Sequence, residues 1–363
     1  MTSQSWTFDR RLALGLLPTP VIGLFVLLLG VGLGPHGLRL LTPVVLSYLD
    51  PAVSVALAAL GALVGLGLEV RRPRERRLLG AASLEAGFTM LLVGAGALLM
   101  LSLWSVPVDL APWLLALMLG ICASSSATPV TSASDQYWAL ATRLGDLDDV
   151  LPIVIGGVAL AWMREGAPGA AASLTVQACA VALLMALAAW LLVTQASSDS
   201  EQRVFTLGSL LLIGGAAEYL SLSALLAGFV AGAFWNRVGG SACDHIRRDV
   251  HHLQHPLVVM LLVIAGARVD ASPIIFGLAV VYVVFRMAGK VVGGRLARRV
   301  APSDLPSPLG LGLVSPGIVG IAVALNVLEA GSDGAALVLA VAVAGSLGSE
   351  ALALLFRLPE RPA

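Results

Sequence analysis

The chain alternates between long apolar stretches and short polar connections along its whole length. A helix that crosses roughly 30 Å of hydrocarbon needs about 20 apolar residues. Backbone that faces lipid must satisfy its own hydrogen bonds, which favours helices. The pattern therefore predicts an all-α integral membrane protein with about twelve transmembrane helices. Their expected positions are 13–34, 46–69, 79–102, 111–140, 147–164, 171–194, 204–219, 221–236, 256–268, 271–294, 308–328 and 335–356.

Two of these segments are interrupted. The fourth contains Pro129 after a run of small hydroxylated residues, and the eleventh contains Ser315, Pro316 and Gly317 near its middle. A proline inside a helix removes a backbone donor and clashes with the preceding turn. Both breaks fall in the middle helix of a three-helix block, 79–164 and 271–356, which predicts inverted repeats with two crossing broken helices. Transporters place their binding sites at such crossings, although two kinks in an inert bundle would give the same pattern.

Composition supports the membrane assignment. The chain is 58% apolar with a mean hydropathy of +0.92, and only 12% of its residues are charged, against about 25% in soluble domains. Zero net charge gives no reason to expect nucleic acid as a partner, and three cysteines do not form a disulfide framework. We find no phosphate-binding loop, nucleophile motif or metal-ligand spacing. We therefore expect no enzyme, no catalytic residue, no metal and no cofactor.

The positions of the arginines predict the orientation. With the N-terminus in the cytoplasm, all arginines outside the spans fall on the cytoplasmic side except Arg39, Arg164 and Arg268. This asymmetry is typical of proteins that follow the positive-inside rule. The N-terminal MTSQSWTFDRR does not read as a removable signal peptide. We expect a multi-pass protein of a bacterial-type inner membrane, with both termini in the cytoplasm.

Lys290 is the only lysine in the chain and lies in an apolar stretch. A lysine near the centre of a span costs roughly 2.5–3.5 kcal/mol on insertion scales. It follows Arg286 by four residues, so the two share a helical face that should point into the protein. A lysine can release a proton where an arginine cannot, or it can neutralise the carbonyl end of a broken helix. A third possibility is a long side chain that reaches the membrane interface.

Asp148 and Asp149 stand out among the acidic residues because they open the fifth segment, next to the broken fourth. Adjacent carboxylates repel each other, which favours the uptake of a proton or a cation. An acidic cap on a cytoplasmic helix start explains the same pair. The other acidic candidates are Glu85, Asp135, Asp146, Glu218 and Glu350.

Four of the five histidines cluster in the segment CDHIRRDVHHLQH, from His245 to His255. Clustered histidines can bind a metal or respond to pH. A solvated amphipathic connector between spans accounts for them as well, and we favour it.

Several motifs together resemble the Kef/NapA-type monovalent cation:proton antiporters. They follow the family's order along nearly the whole chain: GPHGL (34–38), EYLSLSALLAGFVAG (218–232), PLVVMLLVIAGARVD (256–270) and RMAGKVVGGRLARR (286–299). The resemblance implies an antiporter fold that forms a single transporter unit over 1–363. It also implies a homodimer with elevator-like alternating access.

The resemblance divides the chain into two parts. It implies a core bundle from about 79–194 and 271–356, which carries the broken helices. Dimerisation helices come from about 13–69 and 204–268. No soluble regulatory domain is expected.

The resemblance also assigns roles to residues. Lys290 matches the buried lysine of the family's tenth helix. Ser126, Thr128 and Pro129 match its broken fourth helix, whose hydroxyls and carbonyls help to hold a dehydrated cation. Asp148 and Asp149 copy the family's aspartate pair.

Two departures keep a second hypothesis open. If Leu144-Gly145 is aligned with the family's leucine-glycine, the acidic position falls near Ala161 and Trp162, and the second break reads SPGIVG without a charge. Our first hypothesis is exchange of Na⁺ or K⁺ for protons across the bilayer. The second is a divergent protein of the same fold without proton antiport, either a carrier of another solute or a non-transporting membrane partner.

Overall fold

The computed structural model describes residues 19–69, 72–104, 109–127, 136–270, 272–301, 309–329 and 331–355. Within these ranges the regular structure is helical, apart from one isolated bridge between two extended segments. The helices are α1 Thr19–Leu33, α2 Pro43–Tyr48, α3 Asp50–Leu66, α4 Pro73–Leu103, α5 Pro112–Ser124, α6 Gln136–Leu147, α7 Val150–Glu165, α8 Pro168–Gln195, α9 Asp199–Tyr219, α10 Ala224–Val238, α11 Gly240–Ala267, α12 Pro273–Val300, α13 Leu309–Gly312, α14 Ile318–Leu328 and α15 Asp333–Leu355.

Five helices of the described ranges are long and apolar enough to cross a membrane by length and composition. They are α4, α8, α11, α12 and the stretch Gly334–Leu354 of α15, and shorter apolar helices accompany them. Large apolar side chains stay exposed on their outer faces, such as Leu91 on α4 and Leu184 on α8. An all-α membrane fold is therefore confirmed, while the number of twelve crossings stays a prediction.

Proline and hydroxyl side chains mark where the helices begin. A proline occupies the first turn of α4, α5, α8 and α12, where its missing N–H has no intrahelical partner to lose. The side chains of Ser198 and Ser223 accept hydrogen bonds from the first turns of α9 and α10. Helix α7 ends at Glu165, and the next residue, Gly166, caps it in the left-handed conformation at φ 68°.

Close helix contacts depend on small residues. Helix α3 packs along α10, and a Cβ added at Gly228 would lie 1.9 Å from the carbonyl oxygen of Ala58. Helix α1 packs along α11, where a Cβ at Gly266 would lie 2.3 Å from the carbonyl oxygen of Leu27. Small residues let backbones approach in this way in membrane bundles. In another group of helices, α4 packs along α12 and α5, and α12 packs against α15.

The carboxyl end of α3 is held by polar side chains from three other helices. Arg143 of α6 donates to the Gly67 carbonyl at 2.7 Å, and Asn236 of α10 donates to the Leu68 carbonyl at 2.6 Å. Arg247 of α11 donates to the Leu66 carbonyl at 3.1 Å. The predicted orientation places both Arg143 and Arg247 on the cytoplasmic side of the membrane. The structure brings these two arginines together at the end of α3.

The chain is helical well before the acidic pair that was expected to open the fifth span. Helix α6 begins at Gln136, and only Asp148 and Asp149 separate it from α7. Asp148 N–H still donates to the Leu144 carbonyl at 3.0 Å, so the turn is nearly helical. Pro152 has no N–H to offer the Asp148 carbonyl, which explains a bend at this place. The pair therefore lies at a bend between two helices, and α7 begins three residues after the predicted start of the fifth span at 147.

The histidine segment is also helical. Helix α11 runs from Gly240 through Pro256 to Ala267, so it includes all of the stretch read as a connector. Cys243, Ile246 and Val250 recur at a spacing of three to four residues and are buried, which explains why a polar-looking segment folds as a helix. Among the described side chains, no three His, Cys, Asp or Glu lie close enough to hold a metal ion.

Candidate functional site

The two interrupted segments meet in extended conformation. Helix α5 ends at Ser124 and α14 begins at Ile318. Between them, Ser126 and Pro316 pair in an antiparallel bridge. The Ala127 N–H donates to the Ser315 carbonyl at 2.9 Å, and the Gly317 N–H donates to the Ser125 carbonyl at 3.3 Å. We call these two segments, 125–127 and 315–317, the crossing.

The crossing leaves no room for a side chain at Gly317. A Cβ there would lie 2.0 Å from the Ser125 hydroxyl oxygen and 2.9 Å from the Ser126 carbonyl oxygen. Ser315, Pro316 and Gly317 are thus at the predicted break. Thr128 and Pro129, predicted on the other side of the crossing, lie outside the described residues.

Arg286 of α12 holds the carbonyl groups on both sides of the crossing. It is fully buried, and its Nε donates to the Ala123 carbonyl at 3.0 Å. Its Nη2 donates to the carbonyls of Ser125 at 2.8 Å and Ser315 at 3.3 Å, and its Nη1 donates to that of Val314. Helix ends leave such carbonyls without intrahelical partners. The guanidinium therefore supplies the positive charge that two carbonyl ends require.

Lys290 bonds to carboxylates instead. It is fully buried, and its Nζ donates to Glu85 Oε2 at 3.1 Å, to Asp148 Oδ2 at 3.2 Å and to the Ser124 carbonyl. These bonds use all three ammonium donors. Lys290 therefore points into the protein toward acidic partners, which excludes the interface-reaching geometry considered from the sequence.

Both carboxylates are themselves anchored. Asp148 Oδ1 accepts from the Ser126 N–H of the crossing at 3.3 Å. Glu85 Oε1 accepts from the Thr89 hydroxyl, one turn along α4, at 3.1 Å. Both side chains are buried. Asp148 thus connects the bend before α7, the first break and the lysine of α12.

Several buried oxygens around the crossing lack a partner. They are Asp149 Oδ1 and the hydroxyls of Ser125 and Ser126, none of which has a hydrogen bond within the described part of the chain. Buried polar atoms are normally paired. Unpaired carboxylate and hydroxyl oxygens next to one another are the ligand type that a small hard cation accepts.

The structure thus brings together Asp148, Lys290 and Ser126, with Asp149 next in sequence. Asp149 occupies the cap position of α7 but its side chain makes no capping hydrogen bond, and Asp148 is bound to Lys290. The cap interpretation therefore does not describe the contacts of the pair. Neither the pairing of Glu85 with Lys290 nor the carbonyl clamp of Arg286 was predicted. Their only sequence signal was a charge inside an apolar segment.

Comparison with known proteins gives a match at the level of structure. No protein-family model and no curated protein matches the chain. Among solved structures it is similar to the sodium proton antiporter MjNhaP1 from Methanocaldococcus jannaschii at pH 8. The TM-score is 0.68, with 92% of this chain and 92% of that chain covered, at 16% sequence identity.

The chain has the fold of a sodium proton antiporter. The antiporter fold agrees with the resemblance found in the motifs, and it places this chain among multi-pass membrane proteins. The similar structure is a transporter rather than an enzyme.

Proposed function

We propose that this protein exchanges a monovalent cation, Na⁺ or K⁺, for protons by alternating access. The observation that carries the proposal is the fully buried Lys290, held by Asp148 and Glu85 beside the crossing. An ion pair of this kind inside a membrane protein is expensive and is a functional site by default. The antiporter fold supports the same conclusion.

In the proposed exchange, the cation and the proton compete for one set of carboxylates. Glu85, Asp148 and Asp149 provide three acidic groups, and among the described residues Lys290 is the one cation that bonds to any of them. A cation that enters the cluster binds Asp148 and Asp149 and displaces the ammonium of Lys290. The displaced ammonium then releases its proton to the open side of the membrane and becomes a neutral amine. The Ser126 hydroxyl supplies a further oxygen, and the sequence predicts the same role for Thr128, which lies outside the described residues. Because the cation and the Lys290 ammonium require the same carboxylate of Asp148, occupancy by the cation and by the proton is mutually exclusive.

Alternating access requires two bodies that move past each other. We propose the core bundle from 79–194 and 271–356 as one and the helices from 13–69 and 204–268 as the other. The packing of α4 with α12 and of α3 with α10 supports this division. Helix α8 also packs against α9 and α10, so it lies where the two bodies meet. We propose a homodimer in a bacterial-type inner membrane with cytoplasmic termini.

The test is transport by the purified chain in proteoliposomes that contain a pH-sensitive dye. We expect gradients of Na⁺, K⁺ or Li⁺ to drive proton movement in the wild type. Asp148→Asn and Asp149→Asn should each abolish it. Asp146→Asn is the matched control, because this aspartate lies two residues away but is exposed.

Two results would contradict the proposal: no cation-driven proton movement at any pH from acid to alkaline, or full transport in both asparagine variants. The first result, with a correctly folded protein, would favour the same-fold protein without proton antiport. That second hypothesis rested on an alignment that leaves no carboxylate at the crossing and on the uncharged SPGIVG of the second break. Asp148 reaches Ser126 there, so the geometry favours exchange.

A further inference from the structure

A small cavity lies where α7 and α8 meet the turn between α9 and α10. Its volume is about 230 Å³ with the open space at its mouth included, and the part that a water-sized molecule can occupy holds about one such molecule. Most of its wall is apolar, and none of the described residues that line it is acidic. The polar residues that line it are Arg164, Thr175, Ser221 and Ser223.

Arg164 brings a positive charge without a complete set of partners to this cavity. It lies in the last turn of α7 and is half-buried. Its Nη1 is buried and has no hydrogen-bond partner within the described ranges. Glu329 attracts the guanidinium through space but does not bond to Nη1. A buried donor without an acceptor is costly, and more so on a charged group. Arg164 therefore lacks an acceptor that an anion can provide.

Ser223 offers a second donor. Only 6% of its surface is exposed. Its hydroxyl oxygen accepts from the Leu226 N–H at 3.2 Å and from Asn326 Nδ2 at 2.8 Å. A serine hydroxyl has two lone pairs and one proton. Both lone pairs are used by these bonds, so the proton remains for an acceptor in the cavity that Ser223 lines.

The backbone around Ser223 adds to the positive potential. Ser223 is the cap of α10, a helix of 15 residues, and the N-terminus of a helix attracts anions through its dipole and its free N–H groups. Two residues earlier, Ser221 takes a left-handed conformation at φ 55°, which is uncommon for a residue with a side chain. This turn places Ser221 on the cavity wall as well.

We propose that this cavity binds a small inorganic anion of the size of chloride, which accepts hydrogen bonds from Arg164 Nη1 and the Ser223 hydroxyl. Ser221, which is exposed, provides a further hydroxyl at the mouth. A guanidinium, a helix N-terminus and a wall without carboxylates disfavour a cation. The limited space disfavours phosphate. A water molecule would need acceptors for its own protons, which a mostly apolar wall does not provide.

The consequence for transport rests on the proposed exchange, whereas the binding site does not. Helix α7 belongs to the proposed core and α10 to the proposed scaffold. An anion held by Arg164 and Ser223 would join these two bodies and stabilise the arrangement seen here. Arg164 falls on the predicted non-cytoplasmic side, so we expect chloride on that side to slow exchange.

Binding of radiolabelled chloride to the purified protein, by equilibrium dialysis in gluconate buffer, tests the site without any transport. We expect saturable binding to the wild type that unlabelled chloride displaces and inorganic phosphate does not. Arg164→Gln should weaken the affinity about tenfold or more, because it removes a charged donor. Thr175→Val is the matched control. Thr175 lines the same cavity, but its hydroxyl already donates to the Ala171 carbonyl at 2.8 Å, so we expect wild-type affinity.

The site would be overturned by a wild type that binds no chloride, by unchanged affinity in Arg164→Gln, or by an equal loss in Thr175→Val. Phosphate that competes as well as chloride would overturn the assignment to a chloride-sized anion. Should Arg164→Gln fail to fold, wild-type crystals soaked in bromide decide, since the absence of an anomalous peak beside Arg164 would refute the site. Chloride binding by a protein that exchanges no cation would support the site and refute the exchange, whereas exchange without chloride binding would do the reverse.

Discussion

Arg286 and Lys290 lie one turn apart on α12, yet they bind different chemical groups. The flat guanidinium of Arg286 donates to backbone carbonyls on both sides of the crossing. This role suits a side chain that stays protonated. The compact ammonium of Lys290 bonds to two carboxylates and one carbonyl. The single lysine of the chain therefore lies where two of its partners are acidic. The neighbouring arginine neutralises the carbonyl ends of the broken helices, a role that the sequence analysis had considered for the lysine.

Removing the lysine should destabilise the fold. Lys290→Met leaves Glu85 and Asp148 buried and without their shared partner, and breaking a buried ion pair from one side costs about 3–5 kcal/mol. We expect a lower unfolding temperature in detergent micelles. The double variant Glu85→Gln/Lys290→Met should recover part of the loss, because it removes one of the two unpaired charges. A Lys290→Met protein that unfolds at the wild-type temperature would contradict the ion pairs described here.

Replacing the lysine by arginine separates charge from proton exchange. Lys290→Arg keeps a cation beside Asp148, so we expect the protein to assemble in the membrane. An arginine does not release a proton, and its wider guanidinium does not fit a site in which three acceptors surround one ammonium. We expect transport in proteoliposomes to fall at least tenfold, the equivalent of about 1.4 kcal/mol in barrier height. Full transport by this variant would show that the lysine does not act through its proton.

At the scale of the helices, the crossing requires a residue without a side chain at Gly317. In Gly317→Ala the new Cβ would lie 2.0 Å from the Ser125 hydroxyl and 2.9 Å from the Ser126 carbonyl oxygen. The hydroxyl can rotate away, but the backbone at Ser126 must shift. Overpacking of this kind costs about 1–3 kcal/mol. It also moves the Ser126 N–H, from which Asp148 accepts a hydrogen bond. We expect a lower unfolding temperature and a loss of transport.

Gly208→Ala is the control for this variant. Gly208 lies in α9, and a Cβ there would meet nothing within 4 Å. An alanine in a helix interior is about 0.5–1 kcal/mol more stable than a glycine. We expect an equal or higher unfolding temperature and normal transport. If both variants behaved alike, the close approach at Gly317 would not matter for the crossing.

The elements differ in how far the sequence could predict them. Pro316 and the hydroxyl-rich run before Pro129 predicted two breaks, and the structure brings their extended segments together, because a proline changes the backbone locally. The continuation of α6 from 141 to Leu147 was not predicted, since ATRLGDLDD looks polar while Leu144 and Leu147 are buried on one side. The bond between Glu85 and Lys290 joins residues 205 positions apart. No local pattern encodes such a pair, so only the fold could show it.

At the scale of the whole molecule, polar contacts connect the two proposed bodies at one end of α14. The Ser54 hydroxyl of α3 donates to Glu329 Oε1 at 2.9 Å, and Asn326 of α14 donates to the Ser223 hydroxyl at 2.8 Å. Each bond joins a residue of the proposed core to a residue of the proposed scaffold. A movement of one body past the other would have to break both, so these contacts favour the arrangement seen here.

The contact at Glu329 is sensitive to pH. Glu329 follows α14 outside the helices, and its burial raises its pKa from 4.5 to about 7. The hydrogen bond from Ser54 and the charge of Arg164 oppose this rise, while Glu218 and Asp50 add to it. A carboxyl whose pKa is raised by folding binds its proton more tightly in the folded state. Folding is therefore favoured at low pH, and this contribution is lost as pH rises through about 7.

We expect the unfolding temperature in detergent to fall as pH rises from 4.5 to about 7, by an amount equivalent to at most about 3 kcal/mol. Above that range Glu329 is ionised in both states, so its contribution becomes constant. Glu329→Gln should flatten this part of the curve, because a neutral amide keeps the acceptor for Ser54 but has no proton to lose. Glu69→Gln, three residues after the end of α3 and with a half-exposed side chain, should leave the curve unchanged. If the unfolding temperature of Glu329→Gln fell with pH as steeply as that of the wild type, the pH dependence would belong to other groups. Glu329 would then not be the pH-sensitive contact between the two bodies.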